Sequence, residues 1–93
     1  MQPIVHWECV ATGRVQGVNY RARVLEAALR HRLVGTVENL PDGTVWIDAR
    51  GPLAQLEDFL REVSTPLGLS RPSLVRRVRE VPLSARFDGF EIR

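Results

Sequence analysis

The period of the hydrophobic pattern changes along the chain in an order that few folds can accommodate. Alternating apolar and polar residues predict half-buried strands, whereas apolar residues three and four positions apart predict amphipathic helices. The predicted elements are, in chain order, a strand over residues 5–12, a helix over residues 20–32, strands over residues 35–40 and 44–50, a helix that opens at Gly51-Pro52, a strand over residues 74–81, a connection over residues 82–88 and a short strand at Phe90 and Ile92. Two helices on one face of an antiparallel sheet form the ferredoxin-like α/β sandwich of the α+β class. The sequence therefore predicts a single βαββαβ domain over residues 1–93, with a short terminal strand.

Glycine and proline mark several of the predicted boundaries. Gly35 follows the first predicted helix and is expected to end it, since glycine readily adopts the left-handed conformation found after helices. Pro41-Asp42-Gly43 predicts a tight turn between two strands, because proline fixes φ and glycine accepts a positive φ. In the strand over residues 74–81, Val75 and Val78 have opposite parity, which predicts a β-bulge or a misplaced strand boundary.

The same pattern predicts which residues form the core. Trp7 and Cys9 share the inward parity of the first strand, and Val45, Ile47 and Ala49 share that of the third. The predicted apolar stripes of the two helices are Val24, Leu25, Ala28 and Leu29 in the first and Leu56, Phe59, Leu60 and Val63 in the second. Cys9 is expected to pack as a small apolar residue.

All 13 basic residues are arginine, and this composition limits the chemistry available to the chain. Without lysine, neither a Schiff-base amine nor the lysine of a phosphate-binding P-loop is present. A lone cysteine excludes an intrachain disulfide and a cysteine-built zinc site, and two histidines form no evident ligand cluster. We therefore expect chemistry that uses arginine, amides, hydroxyls and the main chain, with no metal and no cofactor.

No segment of the sequence resembles a membrane span or a targeting signal. The N-terminal apolar stretch is interrupted by His6 and Glu8, and no apolar run approaches the roughly 18 residues that a membrane-spanning helix needs. The sequence thus predicts a soluble cytoplasmic protein, and we expect a monomer.

The loop over residues 13–21 is the best candidate for a binding site. Its two glycines allow main-chain N–H groups to converge, and such a concavity binds anions. The loop leads into a helix N-terminus, where Arg21 can grip a phosphate group with two parallel hydrogen bonds. The alternative is an ordinary strand-to-helix connection with a solvated arginine.

Asn39 lies where it could act together with this loop. It shares the parity of Val37, so its side chain is predicted to face the helices at the end of its strand. In the predicted topology this strand end and the loop lie at the same edge of the sheet, roughly 10 Å apart across two strand spacings. The alternative is that Asn39 only caps the turn that follows it.

Two segments of the chain resemble the signature sequences of the acylphosphatases. The first signature is matched by Gly13-Arg14-Val15-Gln16-Gly17-Val18-Asn19-Tyr20-Arg21, and the second by Gly35-Thr36-Val37-Glu38-Asn39 followed by Asp42-Gly43-Thr44-Val45. The closing Gly89-Phe90-Glu91-Ile92-Arg93 is also similar to the usual C-terminus of the family. The resemblance covers essentially the whole chain.

The resemblance implies the same α/β sandwich and a specific reaction. That reaction is hydrolysis of the carboxyl–phosphate bond of an acyl phosphate to carboxylate and inorganic phosphate, by attack of water and without a metal. Arg21 matches the phosphate-binding arginine of the family, and Asn39 matches the asparagine that orients the attacking water. The phosphate cradle of the family is matched by the backbone amides of Val15, Gln16, Gly17, Val18, Asn19 and Tyr20.

Three positions depart from the family pattern. Asn19 stands where an aromatic residue is common, Thr36 where tryptophan is usual, and Glu38 where a basic residue is frequent. By strand parity Glu38 points away from Asn39, so direct repulsion of a phosphate group is not expected. These departures bear on the contacts with the acyl side of the substrate and on the rate of hydrolysis.

Two other functions are compatible with this topology. RNA-recognition modules share it, but they stack bases on aromatic residues of the central strands, where this chain offers only Trp46. The net charge of +2 is also small for that role, so no nucleic-acid partner is expected. The second function is that of a non-catalytic regulatory module. Such a module would bind a small anion at the same loop and would not hydrolyse it.

Overall fold

The alternating segments form a five-stranded sheet, and the two amphipathic segments form two helices. The computed structural model describes residues 3–81 and 89–93, and the predicted connection over residues 82–88 lies outside them. The elements are β1 (Ile4–Arg14), α1 (Tyr20–Arg30), β2 (Val34–Asn39), β3 (Val45–Pro52), α2 (Leu53–Val63), β4 (Arg71–Val81) and β5 (Phe90–Ile92). The predicted ferredoxin-like order of strands and helices is confirmed. Neither helix of the described residues is long and apolar enough to cross a membrane.

The strand order β4-β1-β3-β2-β5 determines where the loops meet. β1 and β2 each pair antiparallel with β3, so they run parallel to each other on its two sides. The loop after β1 and the end of β2 therefore lie at the same edge of the sheet, as predicted. β5 pairs parallel with β2, which brings Ile92 opposite Val37 near that edge.

The core lies between the sheet and the helices. Trp7 and Cys9 are buried as predicted, and so are the inward-facing residues of β3. In α2 the predicted stripe is confirmed, since Leu56, Phe59 and Val63 are buried and Leu60 packs against them. Burial raises the pKa of the Cys9 thiol to about 12, which suits a packing residue rather than a nucleophile.

The buried face of α1 differs from the predicted one. Leu29 is 57% exposed, whereas Tyr20 and Ala27 are buried together with Val24 and Ala28. These four residues follow the helical spacing i, i+4, i+7 and i+8, so the stripe begins at Tyr20. The predicted stripe was wrong at Leu29 because the aromatic residue at the helix start fixes which face is buried.

The end of α1 also differs from the prediction that Gly35 ends it. The helix ends at Arg30, and Arg32 adopts the left-handed conformation with φ 57°. The N–H of Leu33 donates to the carbonyl of Ala28 and that of Arg32 to the carbonyl of Leu29, the bonding pattern of a Schellman motif. An arginine thus occupies the position that glycine usually fills.

Gly35 instead lies inside β2, where the neighbouring strand leaves no room for a side chain. Its φ is 147°, and a Cβ built on it would lie 1.9 Å from the main-chain oxygen of Asp48 in β3. Glycine is required here for close approach of two strands rather than for a helix end.

β4 pairs with β1 through an irregular register. Glu8 is opposite Arg79 while Cys9 is opposite Arg77, so Val78 is left without a partner. The predicted bulge in this strand is therefore confirmed, and it explains the opposite parities of its valines. β4 begins at Arg71, earlier than predicted, because its pairing with β1 continues past a second register shift.

Substitution of Gly35 tests the close approach of β2 to β3. We expect Gly35→Ala to lower the free energy of unfolding by about 3 kcal/mol or more, since the added methyl group meets main-chain atoms that cannot move aside. Urea unfolding measures this change. Gly89→Ala is the matched control, because a Cβ at Gly89 meets nothing within 4 Å. Equal stability of the two variants would contradict the packing described above.

Candidate functional site

The loop between β1 and α1 follows a main-chain path suited to anions. Gly17 has φ 72° and Asn19 has φ 64°, and such left-handed residues curve a loop into a concave nest of N–H groups. A Cβ on Gly17 would meet nothing within 4 Å, so glycine serves the conformation there and not close packing. Asn19 is the N-cap residue of α1, and its side chain makes no capping hydrogen bond. The first turn of α1 therefore keeps its N–H groups for another acceptor.

The six amides predicted to form the cradle are not equivalent. The N–H of Val15 donates to the carbonyl of Gly13 at 3.0 Å, so this donor is already bonded. For the N–H groups of Gln16 to Tyr20, the described residues provide no hydrogen-bond acceptor. The loop thus presents a run of five donors that an anion can satisfy.

Gln16 connects this loop to the β2–β3 hairpin through its side chain. Its Nε2 donates to the carbonyls of Leu40 and Thr44, both at 2.8 Å. These carbonyls belong to the turn that directly follows Asn39. The two amide hydrogens of one side chain therefore fix the distance between the loop and the end of β2.

Asn39 ends β2, where it pairs with Val45 of β3. Its side chain shares the helix-facing side of the strand with Val37, as predicted. The Oδ1 atom of Asn39 is buried, yet no donor among the described residues reaches it. Buried polar atoms are almost always hydrogen-bonded, so this acceptor keeps its hydrogen-bonding capacity for a donor other than the described residues.

Arg21 lies in the first turn of α1 and is held by the residue that follows β5. Its Nη1 donates to the main-chain oxygen of Arg93 at 2.9 Å. The N–H of Arg93 in turn donates to the carbonyl of Val37 at 2.8 Å, which ties this segment to β2. The guanidinium of Arg21 and the side chain of Asn39 are thus both positioned by β2.

One cavity of about 210 Å³ brings these groups together. Its lining consists of Val15, Gly17, Asn19, Tyr20, Arg21, Ala22, Asn39 and Ile92. The lining contains one permanently charged side chain, that of Arg21, and no carboxylate among the described residues. Glu38 is not part of it, in agreement with its predicted orientation. The electrostatics of the cavity therefore favour an anion.

Three contributions to the site were not recognised from the sequence. Ile92 lines the cavity because β5 pairs with β2, and a three-residue strand carries no signal for its partner. The side chain of Gln16 carries no periodic signal either, since it lies in an irregular loop. Tyr20 was predicted to contribute its amide only, but its hydroxyl is the third contribution.

The hydroxyl of Tyr20 anchors the start of α1. It donates to the carbonyl of Val63 at 2.8 Å within the core. Burial raises the pKa of this phenol further above its usual value, so the group stays neutral and keeps its donor. The end of α2 thereby holds the first turn of α1, which carries Arg21.

Neither histidine lines this cavity, and each lies within ion-pair distance of a carboxylate. His6 Nε2 lies 3.2 Å from Asp48, and His31 Nε2 lies 2.9 Å from Glu62. Among residues 3–81 and 89–93, no group of three or more histidine, cysteine, aspartate or glutamate side chains is placed to hold a metal ion.

Known proteins similar to this chain cover almost its full length. The family model for acylphosphatase matches residues 7–92. An acylphosphatase of Cupriavidus necator is 42% identical over 88 residues, which cover 94% of this chain and 91% of that protein. An acylphosphatase of Chlorobaculum tepidum is 34% identical over 84 residues, which cover 89% of each protein. The crystal structure of acylphosphatase from Bacillus subtilis matches with a TM-score of 0.90 at 30% identity, covering 96% of this chain and 98% of that one.

Substitution of Gln16 tests whether its side chain holds the loop in place. We expect Gln16→Leu to weaken binding of inorganic phosphate about tenfold, because the loop amides lose their fixed distance to Asn39. The loss of two hydrogen bonds should also lower the free energy of unfolding by about 1–3 kcal/mol. Titration calorimetry with phosphate measures the first effect. Gln55→Leu on α2 is the matched control, and equal phosphate affinity of both variants would contradict the role of Gln16.

Proposed function

This chain belongs to the acylphosphatase family and hydrolyses acyl phosphates, and from this premise we propose that Arg21 and Asn39 are its catalytic residues. We further propose that the main-chain N–H groups of residues 16–20 bind the phosphate. The N–H of Val15 is bonded to Gly13 and contributes to the shape of the loop instead. The observation that carries the proposal is the buried, unpartnered Oδ1 of Asn39 in the same cavity as Arg21.

Arg21 binds the phosphoryl group in this mechanism. A guanidinium has five N–H donors in a planar fork, and one of them is used by the main-chain oxygen of Arg93. That bond orients the group and leaves donors for two phosphate oxygens. Together with the loop amides, Arg21 stabilises the charge on the equatorial oxygens of the transferring group.

Asn39 positions the attacking water. Its Oδ1 can accept a hydrogen bond from a water molecule, but an amide has no useful basicity and cannot remove a proton. The oxygen of the water forms a bond to phosphorus while the bond from phosphorus to the acyl oxygen breaks. The electron pair of that bond leaves with the carboxylate, and a phosphate oxygen takes the proton of the water.

The leaving group explains why the cavity needs no general acid. A carboxylic acid has a pKa of about 4, so its carboxylate is a weak base and departs without protonation. Catalysis then depends on orientation and on fixed donors, which arginine, an amide and the main chain supply. This is consistent with the cavity lining, in which residues 3–81 and 89–93 place no carboxylate, histidine or cysteine.

The monomeric state, the cytoplasmic location and the absence of a nucleic-acid partner remain predictions from the sequence. Trp46 bears on the last of these, since it is the aromatic residue that an RNA-recognition module would use on this strand. Its Nε1 donates to Asp48 at 3.0 Å, and the side chain is half-buried. A ring bonded to a carboxylate on the sheet is poorly placed to stack on a base.

Hydrolysis of benzoyl phosphate by alanine variants tests the catalytic assignment. We expect Arg21→Ala and Asn39→Ala each to lower kcat/KM by about 10²–10³, the usual effect of removing one preorganised group. Since neither side chain is part of the core, both variants should unfold within about 1 kcal/mol of the wild type. Activity should be the same with and without a chelator.

Arg61→Ala is the matched control, because Arg61 is an exposed arginine of α2 remote from the cavity and should leave turnover unchanged. Full turnover by a folded Arg21→Ala or Asn39→Ala variant would overturn the assignment of that residue. Loss of activity with the chelator would overturn the metal-independent mechanism.

A further inference from the structure

A second cavity of about 310 Å³ adjoins the candidate active site. Its lining consists of Gly17, Val18, Asn19, Arg23, Gly68 and Leu69. Gly17 and Asn19 also line the first cavity, so the loop between β1 and α1 forms a wall of both cavities. A substrate with its phosphoryl group on this loop therefore has the second cavity next to its acyl group.

The wall opposite the loop is a turn that holds an apolar side chain in solvent. Leu69 is 72% exposed, while the next residue, Ser70, is fully buried. The Ser70 hydroxyl donates to the carbonyl of Leu67 at 2.7 Å and accepts from the N–H of Leu67 at 3.1 Å. Because these bonds fix the turn, an apolar group can pack on Leu69 without ordering the turn further.

A guanidinium group also lines this cavity. Arg23 lies against Gly68, since a Cβ built on Gly68 would lie 3.4 Å from its Nε and 3.6 Å from its Nη2. The carboxylate that Arg23 contacts is that of Glu26, at 3.4 Å in an exposed pair of the kind that contributes little. Arg71 donates to the carbonyl of Gly68, so two cations contact this turn. The second cavity thus combines an apolar surface with a positive end.

We propose that this cavity is the acyl subsite and that Arg23 binds a second anionic group on the acyl chain. Leu69 contacts the apolar part of that chain, and the guanidinium of Arg23 pairs with a carboxylate at its end. The preferred substrates are then monophosphates of dicarboxylic acids, in which one carboxyl group carries the phosphate and the other is free. This inference rests on the proposed placement of the phosphoryl group at Arg21 and the loop.

Non-hydrolysable ligands separate binding in the two cavities. We expect wild-type protein to bind 4-carboxybenzylphosphonate about threefold more tightly than benzylphosphonate in titration calorimetry, the factor expected from an ion pair with a partly exposed guanidinium. Arg23→Gln should abolish this difference and leave the affinity for benzylphosphonate unchanged. Leu69→Ser should weaken both ligands about threefold and leave inorganic phosphate unaffected.

Arg61→Gln is the matched control, since Arg61 also forms an exposed pair with an acidic residue three positions away. Arg21→Ala should weaken both phosphonates equally. No preference for the carboxylated ligand in the wild type, or a preference that survives Arg23→Gln, would overturn the acyl subsite while leaving the phosphate site intact. Unchanged affinity in Arg21→Ala would instead overturn the phosphate site and, with it, the subsite that depends on it.

Discussion

The antiparallel pairing of β3 with both β1 and β2 is the constraint on which the rest of the structure depends. It makes β1 and β2 parallel, so the loop after one strand and the last residue of the other meet at a single edge of the sheet. At Gly35 the main chains of β2 and β3 approach each other too closely for a side chain, which holds the two strands together. The groups of the site are then joined by direct bonds, from Gln16 to the hairpin and from Arg21 to Arg93. The chemistry is therefore a consequence of strand order more than of any single reactive side chain.

This arrangement explains how a chain without lysine and with few histidines works as an acylphosphatase. A reaction whose leaving group is a carboxylate needs fixed positive charge and a held water more than it needs proton transfer. In the proposed mechanism, main-chain donors of the loop, one guanidinium and one amide meet that need, and the described residues of the lining include no carboxylate. Of the 13 arginines, Arg21 and Arg23 face the two adjoining cavities, and others such as Arg30, Arg61 and Arg79 pair with acidic side chains at the surface.

Most of the fold was predictable because strand parity and helical spacing report burial directly. Prediction failed where tertiary contacts outweigh local signals: Leu29 is exposed because Tyr20 sets the buried face of α1, and Arg32 takes a left-handed conformation that glycine was expected to provide. The juxtaposition of Arg21 and Asn39 followed from topology, and their roles followed from the resemblance to a family. The bridge made by Gln16 and the contribution of Ile92 were not predictable, since both depend on contacts between residues far apart in the sequence.

The bridge from Gln16 to the hairpin has a consequence for folding. Its partners lie 24 and 28 residues away along the chain, and the partner of Arg21 lies 72 residues away. Such contacts form only when the whole sheet is assembled, so the anion site does not exist in partly folded chains. A ligand that binds only the assembled state stabilises all of it by mass action, by about 2.7 kcal/mol at 100 times its Kd. A phosphate group bound at the proposed site would thus stabilise the domain as a whole, and the fraction of folded chains would rise with the concentration of the ligand.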